Sequence, residues 1–477
     1  MKKYLLLLLL ASFSLEAQIV SIPDANFKTK LLQASPINDI AQNLENQSIK
    51  IDVNNDGEIQ ESEAALVYSL NVSNSGILSL EGIQHFSSLS YLTCSNNSIS
   101  EVNAVMSLSL RSLIINSNNI SSLDFTNNNF PTEGIYFFAL DCSDNPLINL
   151  NLTGLITFSY LVINNTPLTT IDFGSVNKIY EFICNENALL QIINFGSIIE
   201  VQEFRCNDNA LLQMIDFGSV NKVILFSCIN NNSLENIDFQ NVFFDYGNHI
   251  DIRDNPNLTE INITIFDASS LIVYNNSSLN SLTVNLFTLR NLWLNNNQNL
   301  ENLTINKLGE QVSSLQNFYV DNNINVNNFS INTLPNDRLQ IAQMELKNFQ
   351  IQSLDLSNVD FGSLLIYGFG QLETLNVKNG NNPPNPPNIY GFSEVPNLRY
   401  VCANEGEVDF MNSYIEGIGI YDVNVNSYCS FNPGGEFFTI QGNSKLDLSS
   451  NGCDESDINF PNMRFNITNG SISGSII

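Results

Sequence analysis

From about Leu70 to Cys402 the apolar positions of this chain return at a fixed interval. The pattern is apolar-x-x-apolar-x-(Cys or aliphatic)-x-x-Asn-x-(x)-Leu-x-x-aliphatic. It runs through Leu89, Leu92, Cys94, Asn97, Ile99 and Val102, and again through Leu110, Leu113, Ile115, Asn118, Ile120 and Leu123. The clearest copies, CNENALLQIINFGS from Cys184 and CNDNALLQMIDFGS from Cys206, begin 22 residues apart and point to internal duplication. The Cys/aliphatic position advances through Cys94, Ile115, Cys142, Ile163, Cys184, Cys206, Cys228, Ile252, Val273, Leu294, Val320, Leu346 and Ile366, mostly in steps of 21 to 22. Surface loops absorb the longer steps. Apolar residues two apart, such as Leu92 and Cys94, predict a short strand with one buried edge. One coil cannot cover that edge alone, so neighbouring coils must stack. Connecting segments such as IDFGSVNKIYEF have strand-like composition and no helical period, which predicts extended or 3₁₀ returns.

The Asn three residues after the Cys/aliphatic position recurs at 97, 118, 145, 187, 209, 231, 255, 276, 297 and 323. A buried amide both donates and accepts, so these residues predict a hydrogen-bonded ladder along the stack. The row lapses at Thr166, Phe349 and Phe369, where irregular coils are expected.

These residues resemble the leucine-rich-repeat motif L-x-x-L-x-L-x-x-N/C-x-L. LSYLTCSNNSI at 89–99 matches it directly, and LRNLWLNNNQNL at 289–300 matches with one extra residue. The resemblance extends over residues 70–402 and implies a horseshoe or arc-shaped solenoid with a parallel sheet on its concave face. It also implies that the concave face binds the partner, as in internalin-like surface proteins of bacteria.

Composition narrows the function. The charge is −30, from 18 Lys+Arg and 48 Asp+Glu, which leaves too few cations to neutralise nucleic-acid phosphates or anionic lipid. At 43% hydrophobic the chain is no disordered acidic tail. Polarity comes largely from amides: about 77 residues are Asn. Met1-Lys2-Lys3, the apolar run Tyr4 to Leu15 and the small-residue site ending at Ala17 read as a signal peptide over 1–17. No later apolar run is long enough to span a membrane. A secreted or cell-surface monomer follows.

The sharpest chemical motif lies in the expected N-terminal cap, residues 18–69, where 52–63 reads DVNNDGEIQESE. This fits an EF-hand loop at every defining position. Calcium takes six to eight hard oxygens around one point. Asp52, Asn54 and Asp56 would supply side-chain oxygens, Glu58 its carbonyl, Gln60 a water-mediated contact and Glu63 a bidentate carboxylate. Gly57 permits the turn, Ile59 anchors it, and ESEAALVYSL is the expected outgoing helix. The single loop resembles those of extracellular bacterial proteins and predicts a structural staple.

On the concave face, Trp293 and Tyr319 precede the inward position, while Tyr274 and Tyr367 follow it. Aromatics in a row make anchors for protein or glycan ligands. Glu203, Arg205, Asp251 and Arg253 add a charged stretch earlier. Asp172, Asn194, Asp216 and Asp238 form a convex row expected to be turn residues. Cys94, Cys142, Cys184, Cys206 and Cys228 read as small core hydrophobes. Cys402 and Cys429 flank the end of the repeats and are placed to form one bridge in an exported protein; Cys453 has no evident partner. Catalysis has little support: His85 and His249 fall in unrelated coils, with no nucleophile elbow, phosphate loop or zinc motif.

Residues 403–429 are expected to cap the array. From 430 to 477 the composition resembles the opening of a β-sandwich module, ending on a strand without a closing hairpin. The favoured reading is a binding or adhesion protein; the alternatives are a non-catalytic targeting arm of a longer enzyme or a structural surface component.

Overall fold

The computed structural model describes residues 18–476 except 104, 106–109, 127–137, 241, 246–248, 310–313, 381–388, 428, 430–443, 451, 453, 460–464 and 469–472. The signal peptide and Cys453 therefore lie outside the described residues. The chain is a parallel β-solenoid, divided between Leu258 and Thr259 into two units.

In the first unit each coil contributes one strand to a front sheet. Ser69–Asn71, Tyr91–Thr93, Ser112–Ile114, Phe138–Asp141, Thr157–Val162, Lys178–Ile183, Glu200–Arg205, Leu225–Ile229 and His249–Arg253 pair in parallel, in chain order. Register sets Leu161, Phe182, Phe204, Phe226 and Ile250 in one inward row. The returns are short parallel strands such as Ile192–Asn194, Met214–Asp216 and Asn236–Asp238, not helices. Between the two sides runs an interdigitated phenylalanine spine. Phe182 stacks on Phe204 at 5.2 Å, Phe195 on Phe217 at 5.3 Å, and Phe195 meets Phe204 edge-on at 5.1 Å. Every one of these rings is buried, so removing one costs about 3–5 kcal/mol by cavity formation.

The Asn ladder forms as the sequence predicts. The Asn209 N–H donates to Asn231 Oδ1 at 3.0 Å. Its own Oδ1 accepts the Asn187 N–H at 2.9 Å, and its Nδ2 donates to the Cys184 carbonyl at 2.9 Å. One residue thus binds the coil before it through its side chain and the coil after it through its backbone N–H. At the lapse, Thr166 gives its N–H and Oγ to Asn187 Oδ1, so the coil stays regular. At Phe349 and Phe369 the row continues as stacked rings 5.1 Å apart. The residue before each ladder position has positive φ, for example Asn96, Asp144, Asn230, Asn275, Asn296 and Asn322. Asn and Asp tolerate this left-handed conformation better than other side-chain-bearing residues, which accounts for a further share of the Asn excess.

In the second unit the chain forms longer strands. Glu260–Tyr274 and Ser281–Asn295 pair over two arms. One arm continues into Asn302–Lys307 and Asn328–Asn332. The other is the front sheet, continuing into Ser314–Asp321, Leu339–Lys347, Val359–Tyr367 and Ile389–Ser393. Phe392 pairs with Ile366, extending the inward row one coil past its apparent end. Cys402 instead lies on a return strand, Tyr400–Cys402, and is bridged to Cys429.

Helices stand at the ends: α1, Ala25–Leu32; α2, Glu61–Ala64; and α3, Val408–Gly417. The expected helix ESEAALVYSL is only α2, because Ser69–Asn71 is drawn into the first front strand. The final strand, Ser473–Ile476, pairs antiparallel with Phe465–Thr468.

The five ladder cysteines are unbridged and fully buried. Burial pushes the Cys94 thiol up to about 12 and raises Cys142, Cys184, Cys206 and Cys228 as well. These thiols stay protonated in the fold but ionise near pH 9 once the chain unfolds. Above that pH the unfolded state binds fewer protons, so stability falls by up to about 1.4 kcal/mol per pH unit for each thiol. Ile115 and Ile163 occupy the same row, so Cys184→Val, Cys206→Val and Cys228→Val fit the site. Denaturant unfolding at pH 7.5 and 10 should show a smaller alkaline loss in the triple variant than in wild type. Equal losses contradict the burial of these thiols.

Candidate functional site

Strand alternation turns Leu292 and Leu294 into the core of the second unit and leaves Asn291, Trp293 and Asn295 on the outer face of its front sheet. Phe318 and Val320 repeat the inward pattern on the next strand, with Asn317, Tyr319 and Asp321 outward. Register then builds three outward rows. Asn291, Asn317 and Gln343 form the first. Trp293, Tyr319 and Glu345 form the second. Tyr274, Asn295 and Asp321 form the third, with Lys347 paired onward to Tyr367.

The second and third rows enclose a depression of about 340 Å³. Trp293, 37% exposed, meets Tyr319 edge-on with centroids 6.5 Å apart, and Tyr274 completes the aromatic wall. The Tyr319 hydroxyl is held 2.9 Å from Gln343 Oε1, which fixes its ring. The opposite wall is polar. Lys347 Nζ lies 2.5 Å from Glu345 and 3.7 Å from Asp321. The hydrogen bond that Lys347 donates to Glu345 outweighs partial burial and holds the lysine above its ordinary range, so it stays charged.

The structure therefore brings together Tyr274, Trp293 and Tyr319 but separates Tyr367 from them. Tyr367 lies beyond Lys347, outside the depression, and its hydroxyl donates to Glu394 at 2.7 Å, which raises its pKa. Asn295, Asp321, Glu345 and Lys347 went unrecognised in the sequence. The signal was available: each sits one residue before or after the inward position of its coil, as the aromatics do.

The charged stretch in the first unit is internally neutralised. Arg205 reaches Glu181 at 2.7 Å and Glu203 at 2.9 Å, and Arg253 reaches Asp251 at 2.6 Å. The Asp172, Asn194, Asp216 and Asp238 row consists of turn residues. Each accepts the N–H two residues on, at Gly174, Gly196, Gly218 and Gln240. His85 is bonded to Glu61 at 2.9 Å.

In the loop at 52–63 the carboxylates curl around a single turn. Asp52 accepts the N–H groups of Asp56 and Gly57 at 3.2 and 3.3 Å, and Asp56 that of Glu58 at 2.8 Å. Glu63 accepts the N–H of Val53 at 2.7 Å and of Gln60 at 3.1 Å. Gln60 Nε2 and Asn54 Nδ2 both donate to Asp56 at 2.8 Å. The Glu58 side chain turns away to Lys28, 2.6 Å off, leaving its carbonyl as the donor the motif needs. Asp52 and Glu63 are each only 7% exposed, and among the described residues no ammonium or guanidinium pairs with Asp52, Asp56 or Glu63. Among the described residues no three His, Cys, Asp or Glu side chains stand grouped as a closed metal cage. Hard oxygens and an uncompensated buried charge fit a divalent cation in chemistry, with the carboxylates here bonded to the loop's own backbone.

No protein-family model matches the chain, and no curated protein matches it by sequence. Among solved structures, the functional domain of InlJ from Listeria monocytogenes, described as including a cysteine ladder, is similar at 18% identity and TM-score 0.36, over 81% of this chain and 76% of that one. The internalin InlF of the same organism is similar at 12% identity and TM-score 0.20, over 88% and 100%. Among the described residues no helix is long and apolar enough to cross a membrane.

Proposed function

We propose that the chain is an exported, non-catalytic adhesion or binding protein, presenting its ligand site on the outer face of the front sheet in the second unit, with a calcium-stapled N-terminal cap. The observation that carries the reading is the three-ring wall of Tyr274, Trp293 and Tyr319. On the same strands the alternation buries most apolar side chains, Phe266 being another outward ring, and here three aromatics face outward beside a polar wall. Large aromatics left outward at a fixed register are the usual anchors of binding surfaces. The depression is shallow and both of its carboxylates, Asp321 and Glu345, are paired with Lys347, so a binding role accounts for it better than catalysis.

In the cap, Asp52, Asn54, Asp56 and Glu63 would hold calcium with their side chains, Glu58 with its carbonyl and Gln60 through water. A bound ion would neutralise the clustered carboxylates and fasten α2 to the turn that precedes it.

Two measurements test this. Fluorescently labelled protein should be retained on surfaces coated with mucin-type glycoproteins or matrix proteins, and Trp293→Ala with Tyr319→Ala should lose at least 90% of that retention. Equal retention, or none by wild type, overturns the binding face. Calorimetry should show calcium binding that Asp52→Ala and the gentler Glu63→Gln weaken at least tenfold, with calcium at a hundred times Kd adding about 2.7 kcal/mol of stability. No heat and no stabilisation in the wild type remove the metal.

A further inference from the structure

We infer that the depression at Trp293 takes a short neutral glycan; this rests on the binding reading above and names its ligand class. The argument is one of chemistry and size. A sugar ring has an apolar C–H face and an equatorial rim of hydroxyls. The edge-to-face corner of Trp293 and Tyr319, 6.5 Å between centroids, offers one aromatic face for the first. The rows on either side offer amides and carboxylates for the second. Asn295, Asp321 and Glu345 line the depression, and Lys347 has a third N–H beyond the two directed at Glu345 and Asp321. About 340 Å³ accommodates a ligand of one or two sugar rings, at the small end of ligand pockets.

Charge excludes the neighbouring classes. Asp321, Glu345 and Lys347 sum to one negative charge, within a chain of net −30, so sulfated or uronic-acid polymers are repelled. A cationic ligand would suit the aromatic wall, but Lys347 already occupies both carboxylates that would attract it. A protein partner needs about 800 Å² per side with an apolar centre. Here the rings are flanked on one side by an amide row, in which Asn317 donates to Asn291 at 2.7 Å, and are separated from exposed Leu365 and Tyr367 by Glu345 and Lys347, so polar residues interrupt the apolar area.

Trp293 is the chain's sole tryptophan, so its emission reports this site alone. The full chain should be titrated with neutral di- to tetrasaccharides built on glucose, galactose, mannose and N-acetylglucosamine, with choline and heparin as parallel arms. At least one neutral oligosaccharide should shift or quench the emission saturably. Asn295→Ala and Asp321→Asn, both outward changes that leave the core intact, should raise its Kd at least fivefold, and Tyr367→Ala should leave it unchanged. A response to choline or heparin alone, no response to any neutral sugar, or neutral-sugar binding indifferent to Asn295 and Asp321 overturns the inference. Should the glycoprotein or matrix surfaces still retain the protein in a Trp293-dependent manner while every sugar fails, the glycan class falls and the binding face stands.

Discussion

The structure depends on one residue per coil, an asparagine that bonds backward through its side chain and forward through its backbone N–H. In the solenoid the turn after each front strand leaves backbone groups facing inward, where no water can reach them, and a buried unpaired N–H or carbonyl costs about 1–3 kcal/mol. The ladder Asn resolves this by accepting from the preceding coil and donating to that coil's strand carbonyl, while its own N–H passes forward to the next Asn. Asn187, Asn209 and Asn231 carry this unbroken in the first unit, and Asn276 and Asn297 in the second. A shorter or apolar residue leaves several groups unmet, unless it closes the gap by other means. Thr166 does so with a hydroxyl, whereas at Phe349 and Phe369 stacked rings fill the space that the amides occupy elsewhere.

With the interior committed to amides, thiols and phenylalanine rings, the outer face of the front sheet is free to vary. Only every second residue of a strand must be apolar. The intervening ones hold a row of charges in the first unit, paired among themselves, and an aromatic corner in the second. The same register that aligns Leu292 with Phe318 aligns Trp293 with Tyr319, so a functional surface arises by substitution at fixed positions without disturbing the core.

Much of this was legible because repetition multiplies a weak signal. A single apolar-x-Cys or apolar-x-aliphatic pair says little, but thirteen in step locate the inward row, the Asn ladder and the outward positions of Trp293 and Tyr319. What escaped is what repetition does not encode. The coil bearing Phe392 follows a Pro/Asn-rich insertion and an aromatic replaces the aliphatic residue, so the row read from the sequence stops at Ile366. ESEAALVYSL has the composition of a helix, yet strand pairing at Ser69–Asn71 overrides that propensity after one turn. Tyr367 looked equivalent to Tyr274 in one dimension; three strands separate them across the sheet. Lys347 and Glu345 were unremarkable as sequence, since their meaning lies in neighbours 26 residues away. The residues preceding the ladder were visible as Asn–Asn pairs, but their left-handed backbone was not.

The central claim is that ladder amides, handed from coil to coil, hold the solenoid together. Residue-resolved hydrogen exchange on the native protein tests it most directly. The backbone N–H groups of Asn187, Asn209, Asn231, Asn276 and Asn297 should be among the slowest to exchange, opening only when their unit unfolds. Exchange of these amides at the rate of the exposed turns beside them would contradict the account, because it would mean that the ladder opens while the coils remain stacked.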